Sequence, residues 1–286
     1  MDLLLYGLIN AAQFTLLALG FSLIYGVSRI ANFAHGAVYI LTGFLVWSFL
    51  KVGLNYPLAA VLAVAASALI GVGIYQGILI RVRGIIASEV IASFAVGMGI
   101  IELLKMAGFV GSFGNPIFIG GSIEVGGVPV DYQRLIVVAT AVVAVLLVSL
   151  FTRYTRAGLA LRGIAQDEHA AMMLGINSDR SATLSLAIGS GLAGVAAVVL
   201  LPLGDIYPGI GYEALTYAVA VSIVGGLGSL GGTVLASLLL SFVQVLTVRL
   251  LGGQWRMMVI FLAILIILLV KPSGLFGRQK ELEERV

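Results

Sequence analysis

Long apolar stretches separated by short polar connections fill almost the whole chain. A helix needs about 20 mainly apolar residues to cross the hydrocarbon core of a bilayer. Six stretches are of roughly that length and a shorter one closes the series: Leu3–Val27, Phe33–Leu50, Pro57–Ile80, Val90–Val110, Leu135–Phe151, Ala182–Leu203 and Met257–Val270. The pattern therefore predicts a bundle of helices that span a membrane.

Between the sixth stretch and the last, no charged residue occurs from Ala214 to Val248. This segment is too long for one span and slightly short for two. Five glycines interrupt its middle: Gly225, Gly226, Gly228, Gly231 and Gly232. We interpret it as two short spans, or as a half-helix that turns inside the membrane. The sequence thus predicts an all-α polytopic membrane protein with nine crossings, in a range of eight to ten, some of them broken or re-entrant.

Composition supports the same class. Of 286 residues, 60% are hydrophobic and 10% charged, whereas a soluble domain carries about 25% charged residues. We expect one transmembrane domain over residues 1–286. The chain has no cysteine, which excludes disulfides, thiolate catalysis and cysteine metal sites. The start, Met-Asp-Leu-Leu-Leu, lacks the basic region of a cleavable signal, so we expect the first stretch to remain as a span.

Lysine and arginine give the orientation, because they favour the cytoplasmic side. With the N-terminus outside, eleven of them lie in inner connections and four in outer ones. The inner set is Arg29, Arg81, Arg83, Arg153, Arg156, Arg162, Arg180, Lys271, Arg278, Lys280 and Arg285, and the outer set is Lys51, Arg134, Arg249 and Arg256. We therefore predict an outer N-terminus and an inner C-terminus, which an odd number of crossings requires.

Two connections are unusually long. The outer one, Gly111–Tyr132, has short β-prone runs separated by Gly-Gly pairs, which predict either a small hairpin or a plain linker. The inner one, Thr152–Ser181, is the only sizeable polar segment.

The centre of the inner connection, Ala165–Leu174, is predicted to be a short helix with Asp167 in its first turn, where a carboxylate suits the helix dipole. Gly175 would stop the helix and Ile176 would pack back on its last turn. Its apolar face would present Ala170, Met173 and Leu174.

Several polar residues fall within the predicted spans, where they are costly and mark solute pathways by default. Tyr6, Asn10 and Gln13 share one helix face. That face should point into the bundle, either to line a solute path or to bond neighbouring helices. Glu102 and Lys105 lie one turn apart, so they form either a structural pair or a site that offers both charges to a zwitterionic solute.

The second span opens with Asn32-Phe-Ala-His-Gly36. Asn32 is a plausible N-cap. His35 would follow in the first turn, where the helix dipole disfavours a protonated ring. Two interpretations stay open for His35: a neutral histidine at a gate, or a structural histidine whose bonds are satisfied.

Glycine and small-residue motifs are weaker signals. Gly226–Gly231 fits G-x-G-x-x-G, but it lacks a preceding strand and a following acid, so we interpret it as a chance match. Small residues at Gly73 and Gly77, and at Ser190 and Gly194, favour close helix packing. No G-x-x-x-x-G-K-[ST] loop and no G-x-S-x-G elbow occurs. We therefore expect no catalytic or metal site, and any ATP must be bound by another subunit.

Four segments, taken together, resemble the LivH-type permeases, the membrane subunits of branched-chain amino-acid ABC importers. They are Val27–Tyr39, Arg153–Arg180, Ser222–Thr233 and Lys271–Arg278. The likeness runs through nearly the whole chain in the same order. Its most specific parts are NFAHG and the segment A-x-D-x-x-x-A-x-x-LGIN.

The resemblance implies a multi-pass protein of the bacterial inner membrane that works by alternating access. Its expected partners are membrane lipid, a second related permease in a heterodimer, two cytoplasmic ATPase subunits and a periplasmic solute-binding protein, with no nucleic acid. ATP and magnesium would be bound by the ATPases, so this chain would hold no cofactor. Its solutes would be branched-chain or other small hydrophobic amino acids, or related solutes such as urea, amides and aromatic acids.

The resemblance also assigns Ala165–Asn177 as the coupling helix that docks in a cleft of the ATPase. Asp167 would start the helix, Ala170 would allow close approach, Leu174 and Ile176 would fill the cleft, Gly175 would end the helix, and Asn177 closes the motif. The alternative is an amphipathic helix that lies on the membrane surface.

A self-sufficient secondary transporter or channel is the rival class. It would need acidic groups at mid-membrane, and the spans offer only Glu102 beside Lys105. The pathway and gate hypotheses therefore rest on Asn10, Gln13, Asn32, His35 and Glu102.

Overall fold

The computed structural model describes residues 2–277, and helices dominate that part of the chain. Its eleven helices are α1 (Asp2–Ser28), α2 (His35–Lys51), α3 (Tyr56–Val82), α4 (Ile86–Met106), α5 (Tyr132–Tyr154), α6 (Arg156–Gln166), α7 (Glu168–Met173), α8 (Ser178–Leu200), α9 (Ile210–Gly225), α10 (Leu230–Leu251) and α11 (Arg256–Val270). Two short strands follow α4, β1 (Ser122–Val125) and β2 (Val128–Asp131). Three of the predicted inner charges, Arg278, Lys280 and Arg285, lie outside the described residues.

Each of the nine predicted apolar segments forms a helix. Within residues 2–277, seven helices are long and apolar enough to cross a membrane: α1, α3, α4, α5, α8, α10 and α11. The other two, α2 with 17 residues and α9 with 16, are shorter than a typical span. A multi-pass membrane protein follows from the seven helices, whereas nine crossings stay a prediction.

Helix α1 lies at the centre of the bundle. Of its most apolar window, 83% is buried, against 6% for α11 at the periphery. Helices α5, α8, α9 and α10 all pack on α1, and α3 packs on the far side of α8. Since α1 contacts these four helices, most of its surface is buried by protein.

Glycines allow the central helices to approach closely. A methyl group at Gly20 would come within 2.4 Å of the Gly189 carbonyl oxygen, so α1 and α8 touch backbone to backbone. The predicted small-residue face of α8 is confirmed, because Ser190 and Gly194 pack against α3. At Gly73 and Gly77 of α3, a methyl group would instead meet nothing within 4 Å among residues 2–277, so these two positions make no close helix contact there.

The glycine-rich break is a tight turn between two helices. Helix α9 ends at Gly225, and Gly226 and Gly228 adopt φ angles of 95° and 83°, which favour glycine. Ser229 then caps α10 by accepting from the Gly232 N–H at 3.1 Å. The turn lies beside Gly26 near the C-terminal end of α1. A helix, not a strand, precedes Gly226, which agrees with a chance match to the dinucleotide pattern.

The outer connection forms the predicted hairpin. β1 and β2 pair antiparallel, with Val125 opposite Val128. Gly126 and Gly127, with φ angles of 61° and 81°, make the two-residue turn. Gln133 at the base donates to the Val199 carbonyl at 2.9 Å and accepts from the Phe118 N–H at 3.1 Å. These bonds attach the connection to the end of α8.

Candidate functional site

A cleft of about 400 Å³ opens between the N-terminal part of α1, the start of α9 and the ends of α8, α10 and α11. We call it the outer cleft. Its floor is apolar, formed by Phe14, Leu17, Tyr39, Leu201, Ile210 and Ala214. The Phe14 ring stacks on Tyr217 at 4.8 Å between centroids. The apolar part of the lining therefore suits an apolar group.

Polar and charged groups surround this floor. They are Asn10, Gln13, Arg134, Glu213, Gln244 and Arg256. Each comes from a different part of the chain apart from the first two, which are one turn apart on α1. The cleft therefore offers both signs of charge and three side-chain amides beside an apolar surface, which is the complement of a small zwitterion with an apolar substituent.

The three charged groups have different environments. Glu213 lies in the first turn of α9 and accepts a hydrogen bond from the Tyr207 hydroxyl. That bond, with partial burial, raises the pKa of Tyr207 to about 12, so the phenol stays a donor at physiological pH. Arg134 donates to Asp131 at 3.1 Å and lies 5.5 Å from the Tyr6 ring. Arg256, at the start of α11, has no carboxylate within 4 Å among residues 2–277.

The predicted polar face of α1 is confirmed as an inward-facing surface. Asn10 and Gln13 line the outer cleft, and Tyr6 lines a neighbouring cleft that shares Asn10, Arg134, Gln244 and Arg256. Sequence reasoning missed Arg134, Glu213, Gln244 and Arg256 as cleft residues. Their positions near predicted helix ends gave the arginines only an interfacial role, and no local pattern distinguished Gln244.

Asn32 and His35 are buried outside the outer cleft. The N-cap prediction for Asn32 is wrong: Ala34 precedes α2 with helical backbone angles, and Asn32 Oδ1 accepts from the Ala34 N–H at 3.1 Å in a local turn. His35 is in the first turn as predicted, and its Nε2 donates to the Leu17 carbonyl at 3.1 Å. Its Nδ1 and the Asn32 Nδ2 are buried without a hydrogen-bond partner among residues 2–277.

Glu102 lies on the outer surface of α4, where its side chain is 62% exposed. It lines neither the outer cleft nor its neighbour. Lys105 Nζ donates to it at 2.6 Å, so the predicted pairing is confirmed. This geometry favours the structural interpretation of the pair over a solute site.

A second cleft of about 390 Å³ lies at the opposite end of α1, between α5, α6 and the start of α10. Its charged residues are Arg153 and Arg162. The two clefts share no lining residue. Between them α1 is tightly packed, with Leu19 and Phe21 almost fully buried. Among the described residues, the two clefts are therefore separated by packed side chains of α1.

The inner connection folds as two helices rather than one. Helix α6 ends at Gln166, and α7 begins at Glu168, with Asp167 as its N-cap accepting from the Ala170 N–H at 3.0 Å. The predicted helix start at Ala165 is therefore wrong, because Asp167 has extended backbone angles that interrupt the helix. Sequence reasoning also missed α6 itself, a helix of 11 residues.

The C-terminal stop of α7 is as predicted. Gly175 adopts a φ of 84°, its N–H bonds to the Met172 carbonyl at 2.9 Å, and the Ile176 N–H bonds to the Ala171 carbonyl at 3.1 Å. These two bonds form a Schellman motif. Ile176 packs back into the core, so it does not project outward with Leu174. Asn177 caps α8 by accepting from the Arg180 N–H at 2.8 Å.

Helix α7 exposes an apolar surface that nothing in residues 2–277 covers. Leu174 is 83% exposed and Met173 is 90% exposed, with Ala170 and Met172 beside them. We call these four residues the apolar knob. Methionine and leucine at such exposure, on a short helix and at its C-cap, are typical of a protein-binding surface. Met172 was missed because its exposure depends on how α7 packs on its neighbours, which helical periodicity does not show.

Comparison with known proteins places the whole chain in one family. Residues 3–269 match the family described as branched-chain amino acid transport system, permease component. The permease protein BraD of the high-affinity branched-chain amino acid transport system of Pseudomonas aeruginosa is 31% identical over 96% of this chain and 95% of its own length. LivH of Salmonella typhimurium, from a system of the same description, is 30% identical over 95% and 94%.

A solved structure gives the same fold. PsaBC from Streptococcus pneumoniae in complex with Fab matches with a TM-score of 0.51 and 17% identity, over 96% of this chain and 94% of that one. At this identity the likeness shows the fold alone. The family match and the two relatives also show the family, and the chain therefore belongs to the family of branched-chain amino acid transport permeases.

Proposed function

We propose that the chain is the membrane-spanning subunit of an ATP-driven importer and passes branched-chain or other small hydrophobic amino acids through the outer cleft. The observation that carries this proposal is the composition of the cleft. An apolar floor beside two arginines and a glutamate complements both the side chain and the two charges of such a solute.

Each part of the solute has a matching group. Arg256 and Arg134 suit a carboxylate, which guanidinium groups bind in a planar fork. Glu213 suits the ammonium group, and Phe14 and Leu17 suit the aliphatic side chain. Urea and short amides lack the aliphatic side chain, so they would use the cleft less fully than leucine or valine. Aromatic acids would have to fit the same apolar floor.

Energy would enter at the other end of the molecule. The apolar knob would dock in a cleft of a cytoplasmic ATPase subunit, and closure of two such subunits around ATP and magnesium would displace α7. A second related permease would complete the membrane part, and a periplasmic binding protein would deliver the solute. The support for this docking is that four exposed residues of α7 form an apolar surface on a basic, polar connection.

The proposed topology is nine crossings in the inner membrane of a bacterium, with the N-terminus outside and the C-terminus inside. Arg29 bonds to Ala165, and Arg83 to Glu168, so these inner-connection residues gather at one end of the bundle. Arg134 and Arg256 gather at the other end, around the outer cleft. The larger number of basic residues then faces the cytoplasm.

A self-sufficient secondary transporter is not proposed. Its sequence support was Glu102, and that carboxylate is exposed, paired with Lys105 and outside the outer cleft.

The test is purification from the native host followed by transport. A tagged chain in mild detergent should bring two ATPase subunits and a second permease. The complex is reconstituted in liposomes with its binding protein on the side opposite the ATPase subunits. It should move labelled leucine to the ATPase side only when ATP is present on that side. A chain that purifies alone and moves leucine without ATP would contradict the proposal.

A further inference from the structure

A single arginine beyond the end of α3 joins three helices at the inner end of the bundle. The Arg83 guanidinium donates to Glu168 at 2.8 Å and to Ser178 at 2.6 Å through Nη2. Through Nη1 it donates to Asp179 at 2.5 Å and to the Tyr75 hydroxyl at 2.8 Å. Ser178 also donates to Glu168 at 2.5 Å, which closes the network.

The network connects α7 to α3 and α8. Glu168 is the first residue of α7, whereas Ser178 and Asp179 open α8, and Tyr75 belongs to α3. The Arg83 side chain is only 19% exposed, although Asp179 is 54% exposed. A guanidinium has several donors in one rigid plane, so it fixes the relative positions of its partners better than a lysine could.

Tyr75 connects this network to an irregular part of α3. The π-helical turn Tyr75–Leu79 begins at that residue, and the Tyr75 ring is fully buried. A π-helical turn is rare and is frequently found at functional sites. Movement at Arg83 would therefore reach α3 at the point where its helical geometry changes.

The preceding helix of the inner connection is attached elsewhere. Arg29, which follows α1 with a φ of 59°, donates to the Ala165 carbonyl in the last turn of α6 at 3.0 Å. Helix α6 is thus tied to α1 by one bond, and α7 is tied to α3 and α8 by the Arg83 network. The break at Asp167 lies between the two sets of hydrogen bonds, although α6 and α7 also pack on each other where Gly163 faces Ala171 and Ile176.

We propose that Arg83 is a positioning residue that passes the displacement of α7 to α3 and α8. The proposal rests on the proposed function, since it assumes that an ATPase docks on the apolar knob. Arg83 is not part of the knob, so its loss should leave docking intact. ATP hydrolysis would continue while less solute is moved for each ATP.

The experiment measures leucine uptake per ATP hydrolysed by the reconstituted complex. We expect Arg83→Gln to lower this ratio about tenfold, the size of a modest coupling free energy between two sites, while both ATPase subunits still co-purify. Arg83→Lys should give an intermediate ratio, because it keeps the charge without the fork. Arg81→Gln is the matched control, a cation two residues away that is exposed, and it should leave the ratio unchanged.

Glu168→Gln tests the partner. The ratio should fall in the same direction, and the double variant should be no worse than Arg83→Gln alone, since residues of one network are not additive. A ratio in Arg83→Gln within twofold of the unmodified complex would overturn the proposal. If Arg83→Gln does not assemble, unchanged ratios in both Arg83→Lys and Glu168→Gln overturn it. Failure of the proposed function is distinguishable, because the ATPase would then be absent from every preparation.

Discussion

At the scale of single residues, the outer cleft depends on charges that have few partners within the chain. Arg256 has no carboxylate within 4 Å among the described residues. Within the same residues, the side-chain hydrogen bond of Glu213 is to the neutral Tyr207 phenol. Charged groups left without a counterion in a cleft bind an ion of opposite sign more readily than paired ones. The cleft is therefore prepared to receive a carboxylate and an ammonium group.

Replacing Arg256 by glutamine should weaken this recognition. We expect Arg256→Gln to raise the concentration of leucine-loaded binding protein that gives half-maximal uptake about tenfold, which corresponds to about 1.4 kcal/mol. The measurement is ATP-driven leucine uptake at a range of these concentrations. Lys51→Gln serves as control, because Lys51 lies over the Trp47 ring, 3.7 Å from its centroid, and not in the cleft. Equal effects of the two substitutions would contradict the role of Arg256.

Only part of the cleft was predictable at this scale. Helical periodicity placed Asn10 and Gln13 on one inward face, because residues three apart lie side by side. Periodicity cannot show that Arg134, Gln244 and Arg256, from three other helices, meet the same face. That juxtaposition depends on how the helices pack, and packing depends on close approaches that no single segment reveals.

At the scale of elements, helix ends and helix contacts decide the geometry. The stop at Gly175 followed from the sequence, because a glycine with positive φ has a local signature. The break at Asp167 did not, since an aspartate can lie within a first turn or cap the helix. The N-cap prediction for Asn32 was wrong for the opposite reason. Asn32 is a good capping residue, but its side chain bonds to Ala34 within a local turn instead.

The contact between α2 and α9 gives a prediction about packing. A methyl group at Gly36 would lie 2.1 Å from the Gly211 carbonyl oxygen, so the two helices would have to separate. We expect Gly36→Ala to destabilise the chain by about 1–3 kcal/mol, the usual cost of overpacking. The measurement is thermal unfolding of the full chain in detergent.

Gly73→Ala is the control for this substitution. It adds the same methyl group to a helix, but among residues 2–277 nothing beyond the helix's own backbone lies within 4 Å of it. Its transition temperature should match that of the unmodified chain or rise slightly, because alanine is the better helix former. A loss of stability in Gly73→Ala as large as that in Gly36→Ala would contradict the contact.

At the scale of the whole molecule, the sequence predicted the class and the apolar segments well. Apolar stretches are long and unambiguous in membrane spans, and all nine predicted segments form helices. Sequence alone could not say which helix is central, because α1 and α11 both contain an apolar stretch long enough to cross a membrane, and their burial depends on what packs against them. Orientation comes from charge distribution alone.

Orientation is testable because the chain has no cysteine of its own. Ser122→Cys in the hairpin and Gln166→Cys at the end of α6 each introduce one exposed thiol. A membrane-impermeant maleimide should label Ser122→Cys in intact spheroplasts and Gln166→Cys only in inside-out vesicles. After detergent lysis both should react. The reverse pattern would show that the N-terminus is inside.

The central claim is that a partner ATPase docks on the apolar knob and that its ATP hydrolysis drives transport. Leu174→Asp tests this claim most directly. Leu174 is 83% exposed, so the substitution should leave the fold intact while placing a charge in the docking surface. Val52→Asp is the control, since Val52 is 82% exposed after α2, outside the knob. The readout is ATPase co-purification together with leucine uptake. We predict that Leu174→Asp loses both and Val52→Asp keeps both; ATP-driven uptake retained by Leu174→Asp would contradict the account.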